Sequence, residues 1–401
     1  MSKRILFVDD EPMVLSGLRR SLRGMRNEWE MEFVTSGLQA LEVMGQKPFD
    51  VVVTDMRMPG MDGAELLEQV KNRFPQSVRF VLSGQSDREA ILRSVGPTHQ
   101  YLSKPCEADQ LQQKIRHACA LRELLDNPHL KEVVSRLQTL PSLPAPYAAL
   151  SQALESSDVS PARLAKIVSQ DMAMTLKVLQ MVNSAFFGVP CEVSSPQQAV
   201  SLLGIENVKS LLSVGIFARL PEPSVDGLSF LWTHSLQTSA FARLIARVQN
   251  AGPAMEEQAF TAGLLHDVGQ LVLISVCHDQ YQQVLDGARK RERSILELEQ
   301  EVFGCTHAEV GAYLLGLWGL PAPIVEAVAW HHMPSRAGSS AFSPVIAVHA
   351  ADVLDHLRRD YRVRNEKPHL DEDLLNRLGL HEQVKVWSSI CRDAGPEGKI
   401  Q

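Results

Sequence analysis

In the first quarter of the chain, apolar positions come in short continuous runs, each closing on polar side chains. Arg4-Ile5-Leu6-Phe7-Val8 ends in Asp9-Asp10-Glu11, and Asp50-Val51-Val52-Val53-Thr54 ends in Asp55. Arg79-Phe80-Val81-Leu82 leads into Ser83-Gly84, and Gln100-Tyr101-Leu102-Ser103 into Lys104-Pro105. Runs of this length, bounded by turn residues, predict buried strands. Segments of helical period such as Ala64-Glu65-Leu66-Leu67-Glu68-Gln69-Val70 stand between them. The alternation of strand and helix predicts a parallel sheet.

From Ala145 onward the period changes. Leu164-Ala165-Lys166-Ile167-Val168 and Leu176-Lys177-Val178-Leu179-Gln180-Met181-Val182 repeat at helical spacing, punctuated by Gly188, Pro190, Pro196 and Gly204. This predicts a mostly helical second domain of about 200 residues. Between the two, a helix is expected from Glu107 past Leu125, carrying Leu111, Ile115 and Ala118 on one face. Asn127-Pro128 interrupts it, an amphipathic stretch runs from Leu130 to Leu137, and Leu140-Pro141-Ser142-Leu143-Pro144 marks the boundary. The division expected is a first domain over 1–122, a helical linker over 123–139, the helical domain over 140–350, and a tail over 351–401. That tail should pack on the helical domain through short helices such as Asp371 to Leu378.

Composition narrows the classes. A chain of 401 residues exceeds one ordinary core, and a net charge of −7 offers no field for nucleic acid. Arg358-Arg359 with Arg362 and Arg364 reads as a solvated face, and no basic recognition helix stands out. No amino-terminal signal pattern and no apolar stretch long enough for a bilayer is expected. The six cysteines lack a CxxC pair, as in a protein with reduced thiols. These features point to the cytoplasm.

Four strand ends deliver chemistry together. Carboxylates at Asp9, Asp10 and Asp55 repel one another unless a hard cation lies among them, and Mg²⁺ prefers such oxygen ligands. Asp10 and Asp55 would be direct ligands, with Asp9 acting through water. Asp55 can serve as a nucleophile toward phosphorus. Lys104 and the metal can neutralise the phosphoryl oxygens, and the Ser83 hydroxyl can bond one of them. A lone Asp9-Asp10 would read as a solvated acidic turn; the four elements in order read as a phosphoryl-acceptor site.

The second domain places histidines and aspartates on several apolar helices. Trp232-Thr233-His234-Ser235 lies on one, Gly263-Leu264-Leu265-His266-Asp267-Val268-Gly269 on another, His307 opens HAEVGAYLL, His331-His332 follows AVAW, and Asp352 lies within HAADVL. Groups of this kind can enclose a transition metal in a bundle core. His234, His266, Asp267 and Asp352 form one set, which His307, His331 and His332 could extend. Taken singly, each reads equally as a hydrogen-bonded core residue or a helix cap, and spacing alone does not show convergence.

The motifs VDDEP, TDMRMPGMDG, SG and KP, over about residues 1 to 122, resemble the receiver domain of two-component response regulators. The resemblance implies a doubly wound, five-stranded, flavodoxin-like α/β domain followed by an all-α HD-like domain. It also implies phosphotransfer from a sensor histidine kinase to Asp55, Mg²⁺ dependence with a carbonyl ligand from Arg57, and a switch formed by Ser83 and Tyr101. LPSLPAPYAALSQAL, LAKIVSQDMAMTLKVLQMVNSAFFG, AVSLLGIENVKSLL, LWTHSL, GLLHDVGQLVL, HAEVGAYLLGLWGLP and AVAWHH resemble the HDOD domain, a helical relative of the HD phosphohydrolases, over roughly residues 136 to 350.

That second resemblance implies a regulatory module that binds a downstream protein partner, many relatives having lost part of the metal set. Family analogy adds a homodimer. Two departures bear on this. SQDMAM stands where an Asp-Pro pair is common, which touches a local turn. The ordered His, His-Asp and Asp pattern is intact at His234, His266, Asp267 and Asp352, which keeps a metal-dependent phosphohydrolase as the alternative. Cyclic dinucleotide phosphodiesterases of the superfamily carry Gly-Tyr-Pro after the double histidine, where this chain has HHMPSRAGSSAF, and often lysine where it has Gln270. The expectation is therefore a phosphorylated response regulator with a non-catalytic output.

Overall fold

The computed structural model describes residues 2–83, 98–104, 106–121, 127–137, 140–156, 158–183, 192–213, 218–219, 228–290, 293–358 and 369–394. The first domain runs β1 (Lys3–Val8), α1 (Pro12–Ser21), β2 (Trp29–Val34), α2 (Gly37–Gln46), β3 (Val51–Asp55), α3 (Gly63–Arg73), β4 (Val78–Ser83), β5 (Gln100–Ser103) and α4 (Ala108–Leu121). Its five strands are parallel in the order β2-β1-β3-β4-β5. β3 and β4 are buried along their whole length, which is why their sequences read as unbroken apolar runs. β2 lies at the edge, and its polar positions Glu30 and Glu32 pair with Arg4 and Lys47 at the surface. Chain order reverses about β1, so the carboxyl ends of β1 and β3 flank the crevice where ligands bind in such sheets.

Local detail holds that crevice in shape. Asp62 and Glu65 form a reciprocal cap at the start of α3. A Cβ on Gly63 would lie 2.2 Å from the Asp55 carbonyl oxygen, so only glycine lets α3 begin directly against the end of β3.

α5 (Pro128–Arg136) follows, and the helical domain then contains β6 (Pro141–Ser142), α6 (Pro144–Glu155), α7 (Pro161–Val168), α8 (Met172–Val182), α9 (Pro196–Leu203), α10 (Ile205–Ser213) and β7 (Ala218–Arg219). Next come α11 (Leu228–Val248), α12 (Pro253–Leu265), α13 (Val268–Val276), α14 (His278–Arg289), α15 (Ile295–Phe303) and α16 (His307–Leu317). The chain continues with α17 (Ala322–Trp330), α18 (Pro344–Arg358), α19 (Glu372–Arg377) and α20 (Gln383–Asp393). α18 continues unbroken through residue 350, and α20 packs on α11 and α18. The expected continuation of α4 past Leu125 falls at 122–126, outside the described residues.

One sequence expectation is corrected. Pro253–Val276 is 24 residues long and apolar enough by composition to cross a bilayer, whereas no such stretch was expected. It consists of α12 and α13, which meet at His266-Asp267, and most of it is buried in the helical core. Burial on all sides gives a helix the same apolar composition as a membrane span.

SQDMAM also does more than shape a turn. Asp171 is fully buried and caps α8 through Met174 N (2.9 Å). Its carboxylate further accepts from Ser142 Oγ (3.0 Å), Leu143 N (3.0 Å) and Trp232 Nε1 (3.1 Å), tying the boundary segment to α8 and α11. Asp171→Ala strands these donors in the core and should lower stability by about 3 kcal/mol, read as a reduced urea midpoint. An unchanged midpoint would contradict this account.

Candidate functional site

β1 and β3 run side by side with Val8 opposite Thr54, so Asp9 and Asp55 emerge from neighbouring strands at the same end of the sheet. Both are buried, at 1% and 8% exposure. Lys104, just past β5, bridges them: its Nζ lies 2.7 Å from Asp9 Oδ2 and also contacts Asp55 Oδ1. Glu11 N donates to Asp9 Oδ1 and Arg57 N to Asp55 Oδ2, each at 3.0 Å. Burial pushes the Asp55 carboxyl above its ordinary value, against the opposing pull of the Lys104 ammonium. Burial also works against the ammonium of Lys104, but its bonds to Asp55 and Asp9 outweigh it and hold that group above its usual range.

Ser83 ends β4, the next strand over, and its backbone oxygen accepts from Lys104 N at 2.8 Å. Its side chain is buried, yet Oγ has no hydrogen-bond partner among the described residues. Tyr101 lies buried in β5 opposite Val81. Asp10 is half-buried beside Asp9, and Arg57 is exposed. Lys104 is thus in direct contact with Asp9 and Asp55, and Ser83 adjoins it through the backbone bond. Among the described residues the three carboxylates do not draw together within 4.8 Å as the ligand groups of the helical domain do; the Lys104 ammonium stands between two of them.

In the helical domain all seven predicted residues converge. His234 comes from α11, His266 and Asp267 from the junction of α12 and α13, His307 from the start of α16, His331 and His332 from the end of α17, and Asp352 from α18. They form two groups, Asp267 with His307, His331 and His332, and His234 with His266 and Asp352, whose ligand atoms lie within 4.8 Å of one another. Asp267 reaches both groups. Its Oδ1 is 3.1 Å from His307 Nε2, and its Oδ2 is 3.4 Å from His266 Nε2 and 3.9 Å from His234 Nε2.

The imidazoles are aimed from behind. Nδ1 is tied to Asp355 Oδ2 (2.7 Å) in His234, to Gly263 O (2.8 Å) in His266, to Glu299 Oε2 (2.8 Å) in His307, and to Val328 O (2.8 Å) in His331. A ring that donates from Nδ1 keeps a lone pair on Nε2, and such outer partners are how proteins orient metal ligands. Nε2 atoms then face one another, 3.2 Å apart for His234 and His266 and 3.0 Å apart for His307 and His332. Two nitrogens bound to one ion at about 2.1 Å stand ~3 Å apart when they subtend a right angle. His331 Nε2 is buried without a hydrogen-bond partner among the described residues, while Asp352 Oδ1 lies 3.0 Å from His234 Nε2. Burial disfavours the charged forms of Asp267 and Asp352, but the surrounding imidazoles hold both carboxyls well below the usual range. Burial and the neighbouring imidazoles pull His331 down to about 3, so that ring is neutral and able to ligate. The residues fit a metal centre.

Residues 5–116 match the model of the response regulator receiver domain, and residues 140–334 match that of the HDOD domain. The chain is a response regulator whose receiver precedes an HDOD domain. Asp352 and Asp355 of its cluster lie beyond the matched HDOD segment, on α18. An uncharacterized protein of Treponema pallidum is 28% identical over 216 residues, covering 54% of this response regulator and 42% of that protein. The hydrogenase transcriptional regulatory protein HoxA of Cupriavidus necator is 34% identical over 137 residues, covering 34% of this chain and 28% of HoxA. This response regulator therefore spans less than half the length of these relatives. Among solved structures, the MmoQ response regulator of Methylococcus capsulatus is similar at 25% identity and a TM-score of 0.48, over 63% of this chain and 98% of that one.

Sequence reasoning missed three members of the HDOD cluster. Asp355 follows Asp352 by one helical turn and was readable as a same-face neighbour. His356, whose Nδ1 lies 2.9 Å from Asp352 Oδ1, was readable by the same spacing. Glu299 had no local signal, because it reaches His307 from α15 across an intervening turn.

Proposed function

We propose that this protein is a phosphorelay response regulator in which a sensor histidine kinase phosphorylates Asp55 and the HDOD domain signals by binding a protein partner. The observation that carries the receiver reading is the Lys104 bridge between Asp9 and Asp55 beside the orphaned Ser83 hydroxyl. Asp55 Oδ attacks phosphorus as the P–N bond to the kinase's phosphohistidine breaks and its imidazole leaves, Lys104 moves from carboxylate to phosphoryl oxygen, and Ser83 Oγ donates to a second oxygen. Asp9, Asp10, Asp55 and the Arg57 carbonyl form an all-oxygen donor set that fits Mg²⁺, which would neutralise phosphoryl charge when bound. A cytoplasmic setting belongs to this proposal and agrees with the free thiols of Cys106, Cys119, Cys277, Cys305 and Cys391.

The test is transfer of label from a phosphorylated histidine kinase or from acetyl phosphate. Asp55→Asn should remove the acid-labile label from the protein, while Asp10→Asn should slow its appearance. Label on the Asp55→Asn protein at the wild-type level would overturn the assignment.

One observation favours a second reading for the HDOD domain. Asp267 spans two ligand groups, as a carboxylate does in two-metal hydrolytic sites. Bound metal would polarise a phosphate ester and lower the pKa of water; the chain's own contribution is to orient the ligand rings through Asp355, Glu299 and backbone carbonyls. Sustained turnover of a phosphodiester panel by metal-loaded protein, lost in Asp267→Asn, would establish this reading over a purely signalling one.

A further inference from the structure

We propose that α16 is a rigid coupling element that makes metal occupancy of the HDOD cluster and phosphorylation of Asp55 mutually dependent. The helix is 11 residues, about 16 Å long. Its first residue, His307, belongs to the histidine cluster. Its last turn lies on the receiver: Gln100 Nε2, at the start of β5, donates to Gly316 O at 3.1 Å. Gly319, with φ of +72°, follows so closely that a Cβ there would meet the Gln100 side chain at 3.3 Å. Lys104 is reached from Gln100 along the same short strand.

A second seam joins the middle of the helix to β4. Arg79, buried in the receiver, donates from its guanidinium to Ser135 O on α5, and His99 Nε2 lies 3.1 Å from the same oxygen. The Ser135 hydroxyl then meets the Tyr313 hydroxyl of α16 at 3.3 Å. Receiver, linker and output helix are therefore joined by buried polar contacts at two heights along α16.

The far end of α16 has no slack to absorb a shift. A Cβ on Gly269 of α13 would lie 1.9 Å from His307 O and 2.8 Å from Gly311 N, so the two helix backbones touch. Asp267 stands immediately before α13 and His307 opens α16, 3.1 Å apart. Close-packed interfaces of this kind change between discrete arrangements and do not deform continuously. A phosphoryl group draws Lys104 away from Asp9 and perturbs β5. The Gln100 contact passes that change to α16, where the His307–Asp267 pair is the part that must respond.

Coupling between two binding events is reciprocal, and typical values change affinity about 5- to 150-fold. The inference rests on the proposed receiver and cluster chemistry, so each is first measured alone: beryllofluoride binding in Mg²⁺, and Zn²⁺ binding to the full-length protein. Zn²⁺ is then titrated calorimetrically with and without beryllofluoride. The expected result is a shift in Zn²⁺ affinity of at least about fivefold, with the same factor for beryllofluoride when Zn²⁺ is present. Gln100→Glu, which turns an acceptor toward Gly316 O, and the separate variant Tyr313→Phe should move the ratio toward one while each ligand still binds alone. If both ligands bind the wild type with a ratio of one, or if both variants keep the wild-type ratio, the coupling is overturned although the two sites stand. If either ligand fails to bind alone, the site reading beneath the coupling fails and the coupling falls with it.

Discussion

The double variant His266→Ala with Asp267→Ala should lose all metal that the wild-type protein retains after loading with Zn²⁺ or Mn²⁺ and desalting. The two groups share no histidine: His266 serves with His234 and Asp352, whereas Asp267 serves with His307, His331 and His332. Removing both therefore takes one ligand from each group and leaves neither intact. Elemental analysis of the wild type should show up to two equivalents. Asp355→Asn keeps the shape of the residue behind His234 but weakens its hold on Nδ1, so metal affinity should fall about 10- to 100-fold without complete loss. A wild type that retains no ion, or a double variant that retains as much as wild type, would contradict the metal assignment.

The same geometry sets limits on what the output domain does. Polar and charged groups are costly to bury without a ligand or full pairing, and five histidines and two aspartates are gathered here. Yet most of them are fully buried, His332 being the partly exposed member. A buried cluster that binds an ion stabilises the domain and fixes the relative positions of α11, α13, α16, α17 and α18, which is useful to a signalling module whether or not turnover occurs. The structural signal for metal is thus stronger than that for hydrolysis.

What could be read in the sequence follows burial. β1, β3 and β4 announced themselves because interior strands of a parallel sheet are apolar on both faces, while β5, at the other edge, was read from a short run closing on Lys104-Pro105. β2 did not, since Trp29-Glu30-Met31-Glu32-Phe33-Val34 alternates as an edge strand does. The grouping of Asp9, Asp55, Ser83 and Lys104 was legible because each stands at the end of a strand, and one topology brings such ends together. In the helical domain the ligand types were legible but their convergence was not, because helix crossing geometry is set by packing between segments far apart in sequence. The bond from His234 to Asp355 shows this most clearly: the two lie 121 residues apart on different helices and are brought together only by the fold. The docking of Gln100 on Gly316 was equally hidden, 216 residues apart.

Lys104→Met should slow phosphorylation of Asp55 by a small phosphodonor about 10²- to 10³-fold, the usual cost of deleting one charge-stabilising donor from such a transition state. Two effects act in the same direction. The variant removes the ammonium that would neutralise phosphoryl oxygens, and it leaves Asp9 and Asp55 facing each other without the cation that now lies between them. Burial already raises the Asp55 carboxyl, and Lys104 is the first influence opposing it. Without that influence a larger share of Asp55 is protonated at a given pH, and the protonated carboxyl is not a nucleophile. The rate of the variant should therefore rise with pH through a midpoint above that of the wild type. Mg²⁺ bound as proposed would supply positive charge to the same carboxylates, so raising its concentration should recover part of the pH displacement but not the full rate, because the ammonium's contact with the phosphoryl group is still missing. A variant that matches wild-type rate across the pH range would show that the bridge in this structure is an ordinary ion pair and not part of the phosphoryl-transfer machinery.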